Sequence, residues 1–154
     1  MIMDIVQAER IDLEEILQLQ YLSYQSEAEL YRNCTIPPLQ QTIAELQEEL
    51  MEQMILKAVV GHRIVGSVRA CMDQGECKIG KLMVHPDFQN RGIGAMLMNE
   101  IEQRFSHCNK YILFTGAKSS KNLYLYKKLG YHKIDENQIN DQLTLFYLEK
   151  KSNQ

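Results

Sequence analysis

The segment Val84-His85-Pro86-Asp87-Phe88-Gln89-Asn90-Arg91-Gly92-Ile93-Gly94-Ala95 constrains this chain more than any other stretch. Before it, from Met54 to Val84, the apolar residues follow a strand-like period; after it, Ile93, Leu97, Ile101 and Phe105 recur at helical spacing, with Met96 and Met98 beside them. The two glycines therefore stand where a strand hands over to a long amphipathic helix. At such a junction the first helical N–H groups lack acceptors and the helix dipole favours negative charge. Gly92 and Gly94 have no Cβ, so a diphosphate can approach the main chain. Arg91 adds a fixed positive charge and Gln89 a neutral donor.

Two other phosphate turns can be set aside. A P-loop reads Gly-x-x-x-x-Gly-Lys-Ser/Thr, and no Lys-Ser/Thr pair follows these glycines. A Rossmann turn needs a third glycine where Leu97 stands and an acidic residue about 20 residues later, and its strands would be parallel. A strand-to-helix turn that holds no ligand is the alternative the glycines alone leave open.

The remaining elements follow from period and punctuation. Ile2–Gln7 alternates like a strand. Asp12 opens a helix, with Glu15 completing a capping box, and Leu13, Ile16, Leu17, Gln20 and Tyr24 trace one face that runs on to Ala28 and Tyr31. Pro37-Pro38 break it, and Leu39, Ile43, Leu46 and Leu50 predict a second helix. Met54–Val60, Ile64–Met72 and Glu76–Val84, separated by turns at Gly61-His62-Arg63 and Asp73-Gln74-Gly75, predict an antiparallel meander. Tyr111–Thr115 predicts a strand, Ser120–Leu129 a helix ended by Gly130, and Tyr131–Asp135 and Gln142–Leu148 the last strands. The order βααβββαβαββ implies an α/β (α+β) fold, a mixed, mostly antiparallel sheet flanked by helices. We expect one domain over residues 1–150 and a short tail at 151–154.

Composition excludes several classes. At 154 residues, 45% hydrophobic and 24% charged, the chain can bury a core without staples. No apolar run approaches a membrane span and no export signal is visible, so the expected place is the cytoplasm. Cys34, Cys71, Cys77 and Cys108 form no CxxC pair and have no histidine at ligand spacing, which points to free thiols and no metal. Net charge is −3, split as −9 over residues 1–54 and +6 over residues 55–154. Glu45, Glu48, Glu49 and Glu52 suit a solvated helix face, yet the split also suits a polyanion held by the basic half and a cation received by the acidic half. An overall acidic chain without tryptophan argues against nucleic acid as a partner.

With its flanks, the turn resembles the GNAT superfamily of acyl-CoA-dependent N-acetyltransferases. The family's Gln/Arg-x-x-Gly-x-Gly/Ala signature is matched by Gln89-Asn90-Arg91-Gly92-Ile93-Gly94. Leu82-Met83-Val84-His85-Pro86 lies before it, and Leu125-Tyr126-Lys127-Lys128-Leu129-Gly130-Tyr131 resembles the family's Leu-Tyr-x-Lys-x-Gly-Phe/Tyr segment. The resemblance implies acetyl-CoA as cosubstrate and a primary amine, on a small molecule or a peptide, as acceptor. It implies that Leu82, Met83 and Val84 would pair their backbone with the pantetheine arm. Gln89, Asn90, Arg91, Gly92, Ile93, Gly94 and Ala95 would form the pyrophosphate turn. Tyr126 would be the general acid for the departing thiolate, with Tyr124 the competing tyrosine. Where many relatives carry Asn and a small residue, this chain has Ser119 and Asn122; either could bond the cofactor, and Ser119 could equally cap the helix. Lys118, Lys121 and Lys127 could meet the outer phosphates or simply face solvent.

An amine attacks only when neutral, so a base is expected, directly or through water. The resemblance puts a carboxylate on the strand before the turn, but that position is Lys78. Glu76, two residues earlier on the same face, and Glu27 and Glu29 in the first helical region are the candidates. A backbone N–H near Met83 or Val84 would meet the oxyanion. Cysteine chemistry is disfavoured, since only His107 adjoins a cysteine. A non-catalytic acyl-CoA-binding module is the competing reading, and pairing through strand 142–148 would give a homodimer.

Overall fold

The structure is a computed structural model and describes residues 2–152. Among the described residues, seven strands form one sheet: Met3–Gln7 (β1), Met54–Val60 (β2), Arg63–Asp73 (β3), Glu76–Val84 (β4), Lys110–Gly116 (β5), His132–Gln138 (β6) and Thr144–Lys151 (β7). Their order is β1-β2-β3-β4-β5-β7-β6, and every neighbouring pair is antiparallel except β4 with β5. The sheet is thus mixed and mostly antiparallel, as the sequence implies. The helices are Leu13–Ser23 (α1), Gln25–Leu30 (α2), Pro37–Gln40 (α3), Ile43–Glu52 (α4), Ile93–Arg104 (α5) and Ser120–Lys128 (α6).

Period 2 splits the strands between two cores. Ile55, Ile64 and Met83 pack with Leu13, Ile16, Leu17 and Leu46 of α1 and α4 on one face. Leu56, Val65, Val68 and Ile79 pack with Ile93, Leu97, Met98, Ile101 and Tyr126 of α5 and α6 on the other. Helix α5 sits especially close at Gly66, where a Cβ would come within 2.9 Å of Leu97 Cδ1 and 3.2 Å of Ile93 Cγ2.

Several boundaries differ from expectation. The first helix divides at Tyr24 into α1 and α2. Asp12 does not pair with Glu15. Its carboxylate accepts the Glu9 N–H at 2.8 Å and meets Lys57 at 2.8 Å, while Glu15 accepts the Ile64 N–H at 2.7 Å and so satisfies a donor at the start of β3. Pro37-Pro38 open a short helix rather than only breaking one, because proline at the first helical position forfeits no hydrogen bond. Gln41 is extended, and α4 starts afresh from a Thr42–Glu45 capping box, so Leu39 and Ile43 belong to different helices. Strand β7 sits between β5 and β6 with both edges paired, which closes the expected route to a dimer through residues 142–148. It also reaches Lys151, into the expected tail, whose last two residues lie outside those described.

The parallel pair matters most. β4 meets β5 only through Glu76–Lys78 against Lys110–Ile112. The β3–β4 register then slips between Ser67 and Arg69, where Lys81 takes the left-handed φ of 45°. A bulge bends its strand, and here Leu82–Val84 swing away from β5.

Candidate active site

The space between the parted strands is a cleft of about 700 Å³. Leu82, Met83 and Val84 of β4 form its floor. Gln89, Asn90 and Gly92–Ala95 close one end, α6 supplies a wall with Lys121, Asn122, Leu125 and Lys128, and Ser23, Tyr24, Ser26 and Glu27 of α1 and α2 close the other end.

At the first end Asn90 and Gly92 are both left-handed, with φ of 62° and 81°. A Cβ on Gly92 would touch nothing within 4 Å, so the backbone angle, not space, calls for glycine there. Gly94 differs: its Cβ would stand 3.3 Å from Leu125 Cδ2, narrowing the gap between α5 and α6. The first i→i−4 bond of α5 runs from Met96 N–H to Gly92 O at 3.0 Å. The amides of Ile93, Gly94 and Ala95, all on the cleft, therefore stand outside the helical ladder. Gln89 donates to Val84 O at 3.4 Å and accepts from Lys121 Nζ at 3.2 Å, linking the turn to α6 across the opening. Arg91, by contrast, lays its guanidinium 5.1 Å from the Phe88 ring centroid and does not line the cleft.

At the second end, three groups converge. Burial pushes the Tyr24 phenol up to about 12, with Glu27 adding to the rise and Arg69 opposing it. Burial also raises Tyr126, with Tyr24 and then Glu27 contributing. Glu27 lines the cleft and accepts the Ser119 hydroxyl on Oε2 at 2.8 Å; its Oε1 has no partner among the described residues. Tyr126 is 6% exposed, sits just behind the cleft wall with its ring 5.9 Å from Tyr131, and has no hydrogen-bond partner for its hydroxyl among the described residues. Tyr124 lies on the open rim.

Residues 22–152 match the acetyltransferase (GNAT) domain family. The chain belongs to the GNAT family. An acetyltransferase of Pectobacterium atrosepticum is 33% identical over 84 residues, which cover 53% of this chain and 60% of that protein. The PaiA N-acetyltransferase of Thermoplasma acidophilum, solved in complex with coenzyme A, superposes with a TM-score of 0.82 at 17% identity, covering 98% of this chain and 99% of that one. The ribosomal-protein-S18-alanine N-acetyltransferase of Escherichia coli gives 0.82 at 12% identity over 99% and 96%. At those identities the two structures speak for the shared fold. Among the described residues of this GNAT chain, no helix is long and apolar enough to cross a membrane.

Not every residue singled out in the sequence reaches the GNAT cleft. Glu29 is exposed beyond it. Glu76 sits at the closed end of β4, ion-paired to Lys110 at 3.2 Å, and six residues of strand at about 3.3 Å each separate it from Leu82. Lys78 pairs with Asp73 at 2.9 Å. Ser119 does not line the cleft; it stands at the N-cap position of α6, but its hydroxyl makes no capping bond because it is engaged with Glu27 and Tyr31. Cys77 and Cys108 are buried, and burial raises both thiols, Cys77 strongly, away from thiolate chemistry.

Sequence patterning also missed two features. Tyr24 reads only as one more position on a helical face, although its side chain faces the cleft. Arg69 lies between Val68 and Ala70 in an apolar strand, where nothing marks it as more than a solvated charge. It is 1% exposed and donates to Gln20 Oε1 at 2.5 Å, Glu49 Oε2 at 2.9 Å and Gln41 Oε1 at 3.2 Å. Glu49 also holds Lys81, at the bulge, at 3.3 Å.

Proposed function

We propose that this protein transfers an acetyl group from acetyl-CoA to the primary amine of a small molecule or peptide, by direct attack within a ternary complex. One observation carries the reading: a single cleft joins the amides of a glycine turn, outside the helical ladder, to a carboxylate oxygen and the Tyr24 phenol, with the Tyr126 phenol just behind its wall. Its volume lies in the range of about 300–1,000 Å³ usual for small-molecule sites. Acetyl-CoA supplies the thioester to be cleaved.

The chain's own groups divide the work. The Ile93, Gly94 and Ala95 amides hold a diphosphate, with Lys121 and Lys128 adding positive charge from α6. The edge of Leu82–Val84 freed by the splay offers backbone groups to an amide-bearing arm, and an N–H near Met83 or Val84 meets the developing oxyanion. Asn122 donates from α6. Glu27 receives the amine. At pH 7 a lysine-like amine needs about 5 kcal/mol to lose its proton, so a carboxylate that orients it, with water taking the proton, removes part of the barrier. Tyr126 donates its hydroxyl proton toward the departing sulfur. The coenzyme A complex of the Thermoplasma relative supports the cofactor assignment, and the alanine acceptor of the Escherichia coli relative supports an amine acceptor.

Calorimetry with coenzyme A and thiol release from acetyl-CoA over an amine panel test the reading. Gly92→Val is expected to weaken coenzyme A binding about tenfold, since a side chain held left-handed costs about 1–2 kcal/mol. Binding without thiol release for any amine would favour a non-catalytic acyl-CoA-binding module. No binding at all would end both readings.

A further inference from the structure

Helix α2 carries Glu27 to the cleft, yet it spans only Gln25–Leu30 and is followed by Arg32 in a left-handed conformation. Ala28 is the one residue of α2 that is buried. Something else must fix the carboxylate. The Lys118 N–H donates to Tyr31 Oη at 3.0 Å, Tyr31 Oη lies 2.8 Å from Ser119 Oγ, and Ser119 Oγ donates to Glu27 Oε2 at 2.8 Å. An amide can only donate and a carboxylate can only accept, so both intervening hydroxyls must point the same way, from Tyr31 to Ser119 to Glu27. Tyr31 and Ser119 are each 4% exposed, so little water competes for these bonds.

The far end of this chain is anchored. Ser119 N–H bonds Gly116 O at 3.0 Å, and Ala117 N–H bonds Thr144 O at 2.8 Å, tying the loop after β5 to β7. Gly116 leaves the room for it: a Cβ there would lie 1.8 Å from Tyr31 Oη.

We propose that Tyr31 and Ser119, seated over Gly116, are positioning residues that hold Glu27 with Oε2 occupied and Oε1 presented to the acceptor amine. The proposal rests on the reading of Glu27 as the amine-binding carboxylate. It adds a specificity device: the relay sets how the amine is received and leaves the cofactor end untouched. The occupied Oε2 also makes the site monodentate, which suits one ammonium or amine hydrogen better than a planar guanidinium, whose paired donors want both carboxylate oxygens.

Steady-state kinetics and coenzyme A calorimetry on Ser119→Ala, Ser119→Thr, Tyr31→Phe and Glu27→Gln test this. Ser119→Ala and Tyr31→Phe should raise KM for the amine about tenfold or more, the usual weight of a hydrogen bond to a charged group. KM for acetyl-CoA and the Kd for coenzyme A should stay within twofold, and Ser119→Thr, which keeps the hydroxyl, should restore the amine KM. In the Glu27→Gln background, Ser119→Ala should add nothing. If Glu27→Gln raises the amine KM but Ser119→Ala and Tyr31→Phe do not, the relay is overturned while the role of Glu27 stands. If Glu27→Gln leaves the amine KM unchanged, the reading beneath the relay fails. Equal losses at the amine and coenzyme A ends would also overturn it, as would independent effects in the double variant. Should Ser119→Ala not fold, Tyr31→Phe, which keeps the ring, carries the test alone.

Discussion

Tyr24, half-buried, and Tyr126, buried, hold their protons more tightly than free phenols because desolvation disfavours the charged form and each stands near Glu27. The sign follows directly. A raised phenol pKa keeps the neutral, donating form dominant to higher pH, so loss of the acid cannot pull the rate down near the ordinary phenol value of about 10. We expect kcat to climb through pH 10 as the amine loses its proton, with no downturn on the way, measured by continuous thiol release in overlapping buffers. A fall setting in below pH 10 would show a phenol titrating where burial forbids it. Tyr126→Phe should lower kcat about a hundredfold, within the usual range for general acid–base catalysis, with coenzyme A affinity unchanged. Tyr126 can be singled out in the sequence because its Leu-Tyr-x-Lys-x-Gly segment resembles the family's. Tyr24 cannot, since period 3.6 says which way a side chain leans and nothing about what folds against it. The partners of the Ser119 hydroxyl were hidden for the same reason: Tyr31 and Glu27 are about ninety residues away and no local pattern joins them.

Elements were more legible than partners. The glycine turn, the meander and α5 follow from short-range periodicity and reappear almost residue for residue. Helix ends were less so, because Asp12, Glu15 and Glu45 all suit caps and only tertiary demand decides which does. Glu15 went to the Ile64 amide, and Thr42 with Glu45 took the capping role. The placement of α5 depends on Gly66, a strand glycine with an ordinary backbone angle whose value is its missing side chain. Gly66→Val would drive a branched side chain into Leu97 and Ile93, and overpacking of this kind costs about 1–3 kcal/mol. Because Ile93 opens the helix whose amides line the cleft, the same change should weaken coenzyme A binding as well as lower the melting temperature. Thermal unfolding with and without coenzyme A checks this: the ligand-induced rise in Tm should shrink in the variant. An unchanged rise would mean the helix start tolerates the shift.

Across the whole molecule, the charge asymmetry of the sequence becomes a spatial division of the cleft. Lys121 and Lys128, from the basic half, stand on the α6 wall, and Glu27, from the acidic half, stands at the end away from the glycine turn. The two halves meet at Arg69, which binds α1 through Gln20, α4 through Glu49 and, by way of Glu49, the bulge at Lys81. Its burial lowers its own pKa while Glu49 supports the charge. The same bulge opens the splay, so this network couples the packing of the acidic half to the shape of the cleft floor. Arg69→Met keeps the volume but takes the donor from Gln20 Oε1, and leaves Glu49 with Lys81 and Gln41 Oε1 with Gln20 Nε2. Leaving a buried acceptor without its donor costs about 1–3 kcal/mol, and urea unfolding should show a loss of that size. Arg69→Lys should recover little, since a single ammonium cannot replace a planar fork that reaches three acceptors on two helices and the segment between them. If Arg69→Met proved as stable as the parent yet bound coenzyme A normally, the bulge would be held by the β3–β4 ladder alone, and the buried arginine would have no part in keeping the strands apart.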